Sequence, residues 1–468
     1  MKPILLLLLA LLPLCAAAKP NFIIIFTDDQ GFNDLGSFGS EAIRTPHLDR
    51  MAKEGRRLTN FMVPSPVCTP SRAGLLTGCY PKRINMHQGV IFPTSQRGLN
   101  PEERTIADHL KAAGYATACI GKWHLGHYPE VLPRAQGFDS YYGIPYSNDM
   151  NHTAYEGKTR VPSDESWINQ DRETKAWKTP LVSNEEIIEL PVNQRTITRR
   201  YTDKAIEFVT ANKERPFFLY LPHSMPHIPL FVPEDAYDPD PRNAYKCVIE
   251  HIDAEVGRLM DAVRREGLAD NTWVIFTSDN GPWLQFKNHG GSAKPLRAGK
   301  GTNFEGGQRV PAIIWAPGRV PAGSSSDELA STIDLLPTIA ALAGESLPTD
   351  HIIDGMDISA ELTGDGPSPR DEFLYYSSRG LLTGIRKGPW KLLILPEGQK
   401  SYFEKTVGTF LFKLDEDLGE QNNLAERLPD KVAELTALMK KRDADLTAAS
   451  RPAWTTKAPH PWPDSLSN

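Results

Sequence analysis

Four segments far apart in the 468-residue chain each end an apolar run in residues able to do chemistry. "NFIIIFT" (21–27) runs into Asp28 and Asp29, and "YATACIG" (115–121) into Lys122 and His124. "PFFLYL" (216–221) leads to His223 and His227, and "TWVIFTS" (272–278) to Asp279 and Asn280. A lone aspartate after a strand is ordinarily a turn or cap residue. Four such segments together are hard to explain as caps. Asp28, Asp29, Asp279 and the amide oxygen of Asn280 are hard oxygen donors, and clustered carboxylates repel one another without a cation between them. An oxygen-only donor set favours calcium, with magnesium as a second choice, over zinc. Arg72, Lys122, His124, His227 and Lys300 form the complementary basic set, suited to a compact oxyanion opposite the metal. Lys300 lies in "RAGKGTNFEGG", where glycines allow close backbone approach. The order of Gly and Lys there is not that of a nucleotide P-loop. His223 is the weaker of its pair; His227 sits in "MPHIP", where flanking prolines stiffen the backbone.

The elements that must carry these residues are legible as patterns. The apolar runs, with "PAIIWA" (311–316), are continuous rather than alternating, as in a sheet covered on both faces. Helical periodicity lies between them at 47–55, 104–113, about 198–212, about 243–266 and about 328–343. Such alternation predicts a layered α/β fold with a large, mainly parallel sheet, whose strand ends form one ligand-binding edge. After "LTGDGPSPRDE" (362–372) the pattern changes to shorter antiparallel strands, then a helix near 430–447. The reading is a main domain over 19–365 and a smaller α+β domain over 366–468. The loop 148–195, with Trp167, Arg172 and Trp177, is a place for substrate specificity. "DEDLGE" (415–420) has its glycine misplaced for a calcium loop and reads as a turn.

"MKPILLLLLALLPLCAAAK" has a positive start, a short apolar core and a small-residue cleavage site, and residues 1–18 read as a secretory signal peptide. Lipid anchoring at Cys15 is the lesser alternative, because Leu14 fits poorly before it. No later stretch is apolar and long enough for a stable membrane insertion. The formal charge of −6 gives no support to a nucleic-acid partner. Export leaves Cys68, Cys79, Cys119 and Cys247 either to pair as disulfides or to remain thiols, and spacing does not choose. Cys68 stands out in "PSPVCTPSRAGLLTGCYPKR" (64–83), between proline-bearing turns and four residues before Arg72.

"CTPSR" followed by "AGLLTG" resembles the signature of the formylglycine-dependent sulfatases. The resemblance continues through "TDDQG", "GKWHLG", "GFDSYYGIPYS", "PHIP", "SDNGP" and "GKGTNFEGGQRVPAIIWAPG" to "LFKLDEDLGEQNNLA". "GIPYS" and "GKGTNFEGG" are most similar to the arylsulfatase A and galactosamine-6-sulfatase branch. The resemblance implies an alkaline-phosphatase-like fold, a bound calcium ion, and oxidation of Cys68 to Cα-formylglycine by a maturation enzyme. It implies hydrolysis of a sulfate ester on a small molecule or glycan, in a periplasmic, extracellular or lysosomal-type compartment. Asp28, Asp29, Asp279, Asn280 and converted Cys68 would hold the metal. Arg72 would support residue 68, His124 would take a proton from it, and Lys122, Ser147 and Lys300 would bind sulfate oxygens. His227, with Lys300, would protonate the leaving alcohol. A phosphonate or phosphate ester hydrolase shares this scaffold, as would a non-catalytic glycan-binding relative. A redox role for Cys68 with Cys79 would leave the acidic and basic sets without a purpose.

Overall fold

In the computed structural model, which describes residues 18–150 and 177–462, the apolar runs become the centre of one large sheet. The main-body strands in chain order are β1 (Asn21–Thr27), β2 (Arg56–Met62), β3 (Arg97–Gly98), β4 (Ala116–Ile120), β5 (Ser140–Gly143) and β6 (Leu181–Ser183). They continue with β7 (Glu186–Glu189), β8 (Phe217–Pro222), β9 (Thr272–Ser278), β10 (Arg309–Trp315), β11 (Ser324–Ser326) and β12 (Ala330–Ser331). The sheet order is β11-β2-β10-β9-β1-β8-β4-β5-β6-β7, with β12 also on β2. Neighbours from β9 through β1, β8 and β4 to β5 run parallel, while β10 and β6 run against them. The sheet is therefore mixed but mainly parallel.

All seven residues of β1 are buried because each face meets its own core. Ile23 and Ile25 pack on the side of α1 (Pro46–Glu54), α4 (Ile197–Ala211) and α5 (Ala244–Arg265), with Leu48, Tyr201 and Ile252 in the same cluster. Phe22, Ile24 and Phe26 face α2 (Cys68–Thr77), α3 (Ile106–Ala112) and α7 (Leu335–Leu342), with Leu75, Leu110 and Ile339. The period-two alternation of side chains thus serves two layers of helices, and each such side chain contributes roughly 1.5–3 kcal/mol on burial.

Two expectations need correction. The helix expected over 328–343 occupies only Leu335–Leu342. The Ser331 N–H donates to Asp334 at 2.8 Å, diverting the preceding residues into β12 and a 3-10 turn. Trp177, placed with the specificity loop, is 1% exposed and belongs to the core cluster that contains Tyr201 and Ile144. Its large apolar ring is worth more in the core than at a solvated mouth. Trp167, Arg172 and residues 1–17, which hold nearly all of the expected leader, lie outside the described residues.

The smaller sheet is antiparallel, β13 (Glu372–Tyr376), β14 (Leu382–Lys387), β15 (Trp390–Leu395) and β16 (Gly408–Lys413), backed by α9 (Pro429–Ala448) through Leu435, Met439 and Leu446. Short helices α6 (Glu305–Gln308) and α8 (Ser359–Thr363) lie in the connections before it. Beyond α9 the chain returns to the main body, where β17 (Trp454–Thr455) pairs with β3. Residues 415–420 form turns after β16, yet Glu420 is fully buried.

Candidate active site

The parallel strands end at one edge, and the residues just beyond them are gathered there. Asp28 and Asp29 follow β1, Lys122 and His124 follow β4, and Ser147 follows β5. His227 follows β8, and Asp279 and Asn280 follow β9. Cys68 is the first residue of α2 and Arg72 lies one turn further along it. Lys300 arrives on the glycine-rich loop before α6. Among these residues, none is more than 4% exposed. His223 is buried near Tyr201, and neither of its ring nitrogens makes a hydrogen bond with a described residue.

Backbone chemistry makes this convergence possible. Gly121 has φ 140°, and a Cβ there would lie 1.9 Å from the Pro222 carbonyl oxygen. Only glycine lets the end of β4 run against the end of β8, where the Lys122 N–H donates to that carbonyl at 2.7 Å. Asp29 and His124 adopt left-handed φ values of 62° and 60°, strain of the kind concentrated at functional sites.

The carboxylates and cations interlock. Arg72 donates Nε and Nη2 to Asp279 Oδ2 at 3.0 and 2.8 Å, donates Nη1 to the Lys122 carbonyl at 2.9 Å, and lies 3.4 Å from Asp28. The Lys122 ammonium bonds to Asp28 and donates to Ser147 Oγ at 3.1 Å. The Lys300 ammonium donates to Asp29 Oδ2 at 2.6 Å and lies over the Trp283 ring. Cys68 Sγ sits 3.4 Å from Asp28 Oδ1 and 3.8 Å from Lys300 Nζ. Burial disfavours charge on Asp28, yet the Lys122 and Arg72 cations hold its carboxyl well below the usual range. Burial and the neighbouring Asp28 push Asp279 up against the pull of Arg72. Asp29 is pushed up to about 6 by burial, with Lys300 opposing.

The histidines are neutral for the same reason. Burial, then Lys122 and Arg72, depress His124 far below 6.5. Its Nε2 faces the Ile91 carbonyl at 2.9 Å and must donate there, which leaves Nδ1 as a bare acceptor with no partner. Burial and Lys300 depress His227, whose Nδ1 donates to the Ile228 carbonyl at 2.6 Å. Its Nε2 is 3.6 Å from Asp29, and Ser147 Oγ is 3.3 Å from the ring nitrogens.

The donor set fits a bound metal ion. Ligand atoms of Asp28, Asp29, Cys68 and His227 lie within 4.8 Å of one another. Asn280 Oδ1 is buried and accepts no hydrogen bond, while its Nδ2 donates to Asp29 at 2.7 Å. A buried, orphaned amide oxygen beside carboxylates is what an oxygen-ligated ion requires. Asp279 joins the same centre by accepting from the Asp29 N–H at 3.1 Å.

A family model described as sulfatase matches residues 20–345. The chain belongs to the sulfatase family. This sulfatase is 38% identical to arylsulfatase A of Bos taurus over 476 residues, covering 95% of this chain and 91% of the relative. It is 36% identical to N-acetylgalactosamine-6-sulfatase of Canis lupus familiaris over 376 residues, 77% of this chain and 69% of that one. A solved structure from work on glycosaminoglycan metabolism by Bacteroides thetaiotaomicron superimposes with a TM-score of 0.80 at 28% identity, over 92% of this chain and 100% of the other. The sulfatase is a sulfuric ester hydrolase with the alkaline-phosphatase-like layering expected from its sequence.

An open cleft of about 380 Å³ leads down to Cys68, His124, Ser147, His227 and Lys300 in this sulfatase. Its lining includes Asp149, from the expected specificity loop, and residues that sequence reading missed: Phe92, Trp283, Arg379, Tyr402 and Phe403. Trp283 had a usable signal, three residues after the Asn280 that ends the β9 constellation. Arg379, Tyr402 and Phe403 had none, because they come from the small domain and reach the site only through domain packing. Cys68, Cys79, Cys119 and Cys247 are all separate thiols. Burial, then Asp28, raises the Cys68 thiol far above its ordinary value, so as a cysteine it is protonated and a poor nucleophile.

Proposed function

We propose that this sulfatase removes sulfate from a sulfated carbohydrate, using Cα-formylglycine made from Cys68 and a bound calcium ion, with magnesium the alternative. The observation that carries the reading is the setting of Cys68. It opens a helix between the acidic and cationic sets, with Sγ 3.4 Å from Asp28 Oδ1 and 3.8 Å from Lys300 Nζ. When present, the aldehyde hydrate supplies a nucleophile that can release sulfate by reforming the carbonyl, and the cation supplies charge that favours its ionised form.

The chain's own groups do the rest. Asp28, Asp29, Asp279 and Asn280 hold the cation beside residue 68, and Arg72 braces Asp279 and Asp28 from behind. Lys122, Lys300 and Ser147 donate to the sulfate oxygens, where fixed donors in a water-poor site stabilise developing charge. His124 presents Nδ1 to accept a proton from residue 68. His227 and Lys300 share the proton that goes to the leaving alcohol, the bound sulfate raising the proton affinity of both. Aryl sulfates serve as surrogates.

The names of N-acetylgalactosamine-6-sulfatase and of the glycosaminoglycan-related structure support a carbohydrate substrate. The leader-like residues 1–18 support export, and "CTPSR" then requires a formylglycine-generating maturation enzyme. No helix among the described residues is long and apolar enough to cross a membrane. Intact mass and peptide mapping of residue 68, in protein made by its own host, test the reading. Formylglycine at 68, with sulfate release from defined sulfated sugars in preference to matched phosphate esters, is the expected result. An unaltered thiol in active enzyme overturns the mechanism, and preference for the phosphate esters overturns the reaction.

A further inference from the structure

The cleft divides into a buried floor and an exposed mouth with different chemistry. The floor cations Lys122 and Lys300 are both committed to carboxylates. At the mouth, Arg379 is exposed and makes no ion pair with any described residue. Its backbone is nevertheless held in place. The turn joining β13 to β14 is tied by Ser377, whose N–H donates to the Leu381 carbonyl at 2.8 Å and whose Oγ accepts from the Arg379 and Leu381 N–H groups at 3.3 and 3.2 Å. Phe92 and Tyr402, at 53% and 54% exposed, present aromatic surface at the same mouth. Asp149, the only anionic side chain among the described lining residues, is 7% exposed, with Oδ1 accepting no hydrogen bond.

Resting on the sulfatase reading above, we propose that Arg379 is a specificity-determining residue that recognises a second anionic group, carboxylate or sulfate, on the sugar whose sulfate is removed. An unpaired guanidinium at a cleft mouth is a ready fork for a carboxylate or sulfate. Being exposed, it lies outward of the buried sulfate cradle, so the second anion belongs to the alcohol portion of the substrate. The aromatic faces of Phe92 and Tyr402 suit the apolar face of a sugar ring. Asp149 Oδ1 suits a sugar hydroxyl, the donor it lacks. The substrate class is a sulfated sugar that remains anionic after the sulfate leaves.

The test compares kcat/KM of the mature enzyme and of R379A on two matched pairs. One pair is a monosulfated glycoside with and without a second sulfate. The other is a sulfated sugar linked to a uronic acid or to its carboxyl-reduced form. The wild type is expected to prefer the dianion by roughly 10- to 100-fold in one pair, mainly through KM, and that pair identifies the anion. In R379A that preference falls to within about threefold, and R379Q behaves likewise with an unchanged unfolding midpoint. A wild type that hydrolyses 4-nitrophenyl sulfate but shows no preference in either pair overturns the proposal, as does a preference that survives in R379A. A wild type that releases sulfate from nothing, 4-nitrophenyl sulfate included, refutes the parent reading and this one with it.

Discussion

In the proposed mechanism Cys68 serves as a precursor rather than as a thiol. Its sulfur is buried near Asp28, a setting that keeps a thiol protonated. A serine there would remain small enough to fit and would still be positioned to attack sulfur, but the resulting sulfate ester has no carbonyl to reform. Cys68→Ser is therefore expected to accumulate one sulfo group per chain, seen by intact mass, while turnover falls roughly 10³-fold or more. Native-rate turnover by C68S would refute the mechanism. Calcium removal offers a second check on these residues. The proposed ligands Asp28, Asp29, Asp279 and Asn280 come together only in the folded chain, so added calcium is expected to raise the unfolding midpoint and chelator to lower it. Equal midpoints would contradict a calcium site.

At the scale of elements, the glycine-rich loop carrying Lys300 is shaped by what lands on it. Gly301 has φ 78°, and a Cβ there would lie 2.1 Å from Phe403 Cγ. Phe403 packs 5.6 Å from Trp283, and Trp283 in turn covers Lys300 at 4.1 Å. One backbone position thus lets the small domain press an aromatic wall onto Lys300. Gly301→Ala is expected to cost about 1–3 kcal/mol from strain and clash. It should also lower kcat/KM, since Phe403 or Lys300 must move. Thermal unfolding and kinetics on one aryl sulfate check both parts, and an unperturbed variant would show that the loop is slack. The sequence displays the glycines of "GKGTNFEGG" plainly, but Phe403 lies a hundred residues on and bears no pattern linking it to them.

Across the whole molecule, a buried ionic network fastens the small sheet to the main body. Lys391 on β15 is fully buried between Glu305 at 2.9 Å and Glu420 at 2.7 Å, over the Tyr375 ring. Lys391→Met would leave Glu420 without its cation beside Glu305, which keeps Arg309 at 3.4 Å and Arg386 at 3.8 Å, and costs about 3–5 kcal/mol. Urea unfolding should register that loss, and a change below about 1 kcal/mol would show the network to be dispensable. The returning tail supplies a pH-sensitive contact. His127 stacks on His460 at 4.8 Å, and burial, then His460, depresses its pKa from 6.5 to about 3. Above 6.5 the ring is neutral whether folded or not. Between 6.5 and about 3 the unfolded chain takes up a proton that the folded protein refuses, so stability is lost as pH falls through that window. The share due to His127 between pH 7 and 5 is about 2 kcal/mol. His127→Phe is expected to lose less stability over that interval by this amount, and an identical acid limb would disprove the linkage.

Local chemistry made much of this protein legible in one dimension. Continuous apolar runs mark strands covered on both faces, and residues just past the ends of parallel strands share a common edge, so Asp28, Lys122, His227 and Asp279 could be grouped without coordinates. The motif around Cys68 added its family. Folding in three dimensions settled what spacing does not encode. Trp177 went to the core because an apolar ring gains more there, and Ser331 with Asp334 shortened a helix whose hydrophobic pattern ran longer. Pairing of β17 with β3, burial of Glu420 and arrival of Arg379, Tyr402 and Phe403 at the cleft all join residues distant along the chain. Such contacts depend on how two domains pack, and packing responds to the shapes of both surfaces at once rather than to any local run of residues.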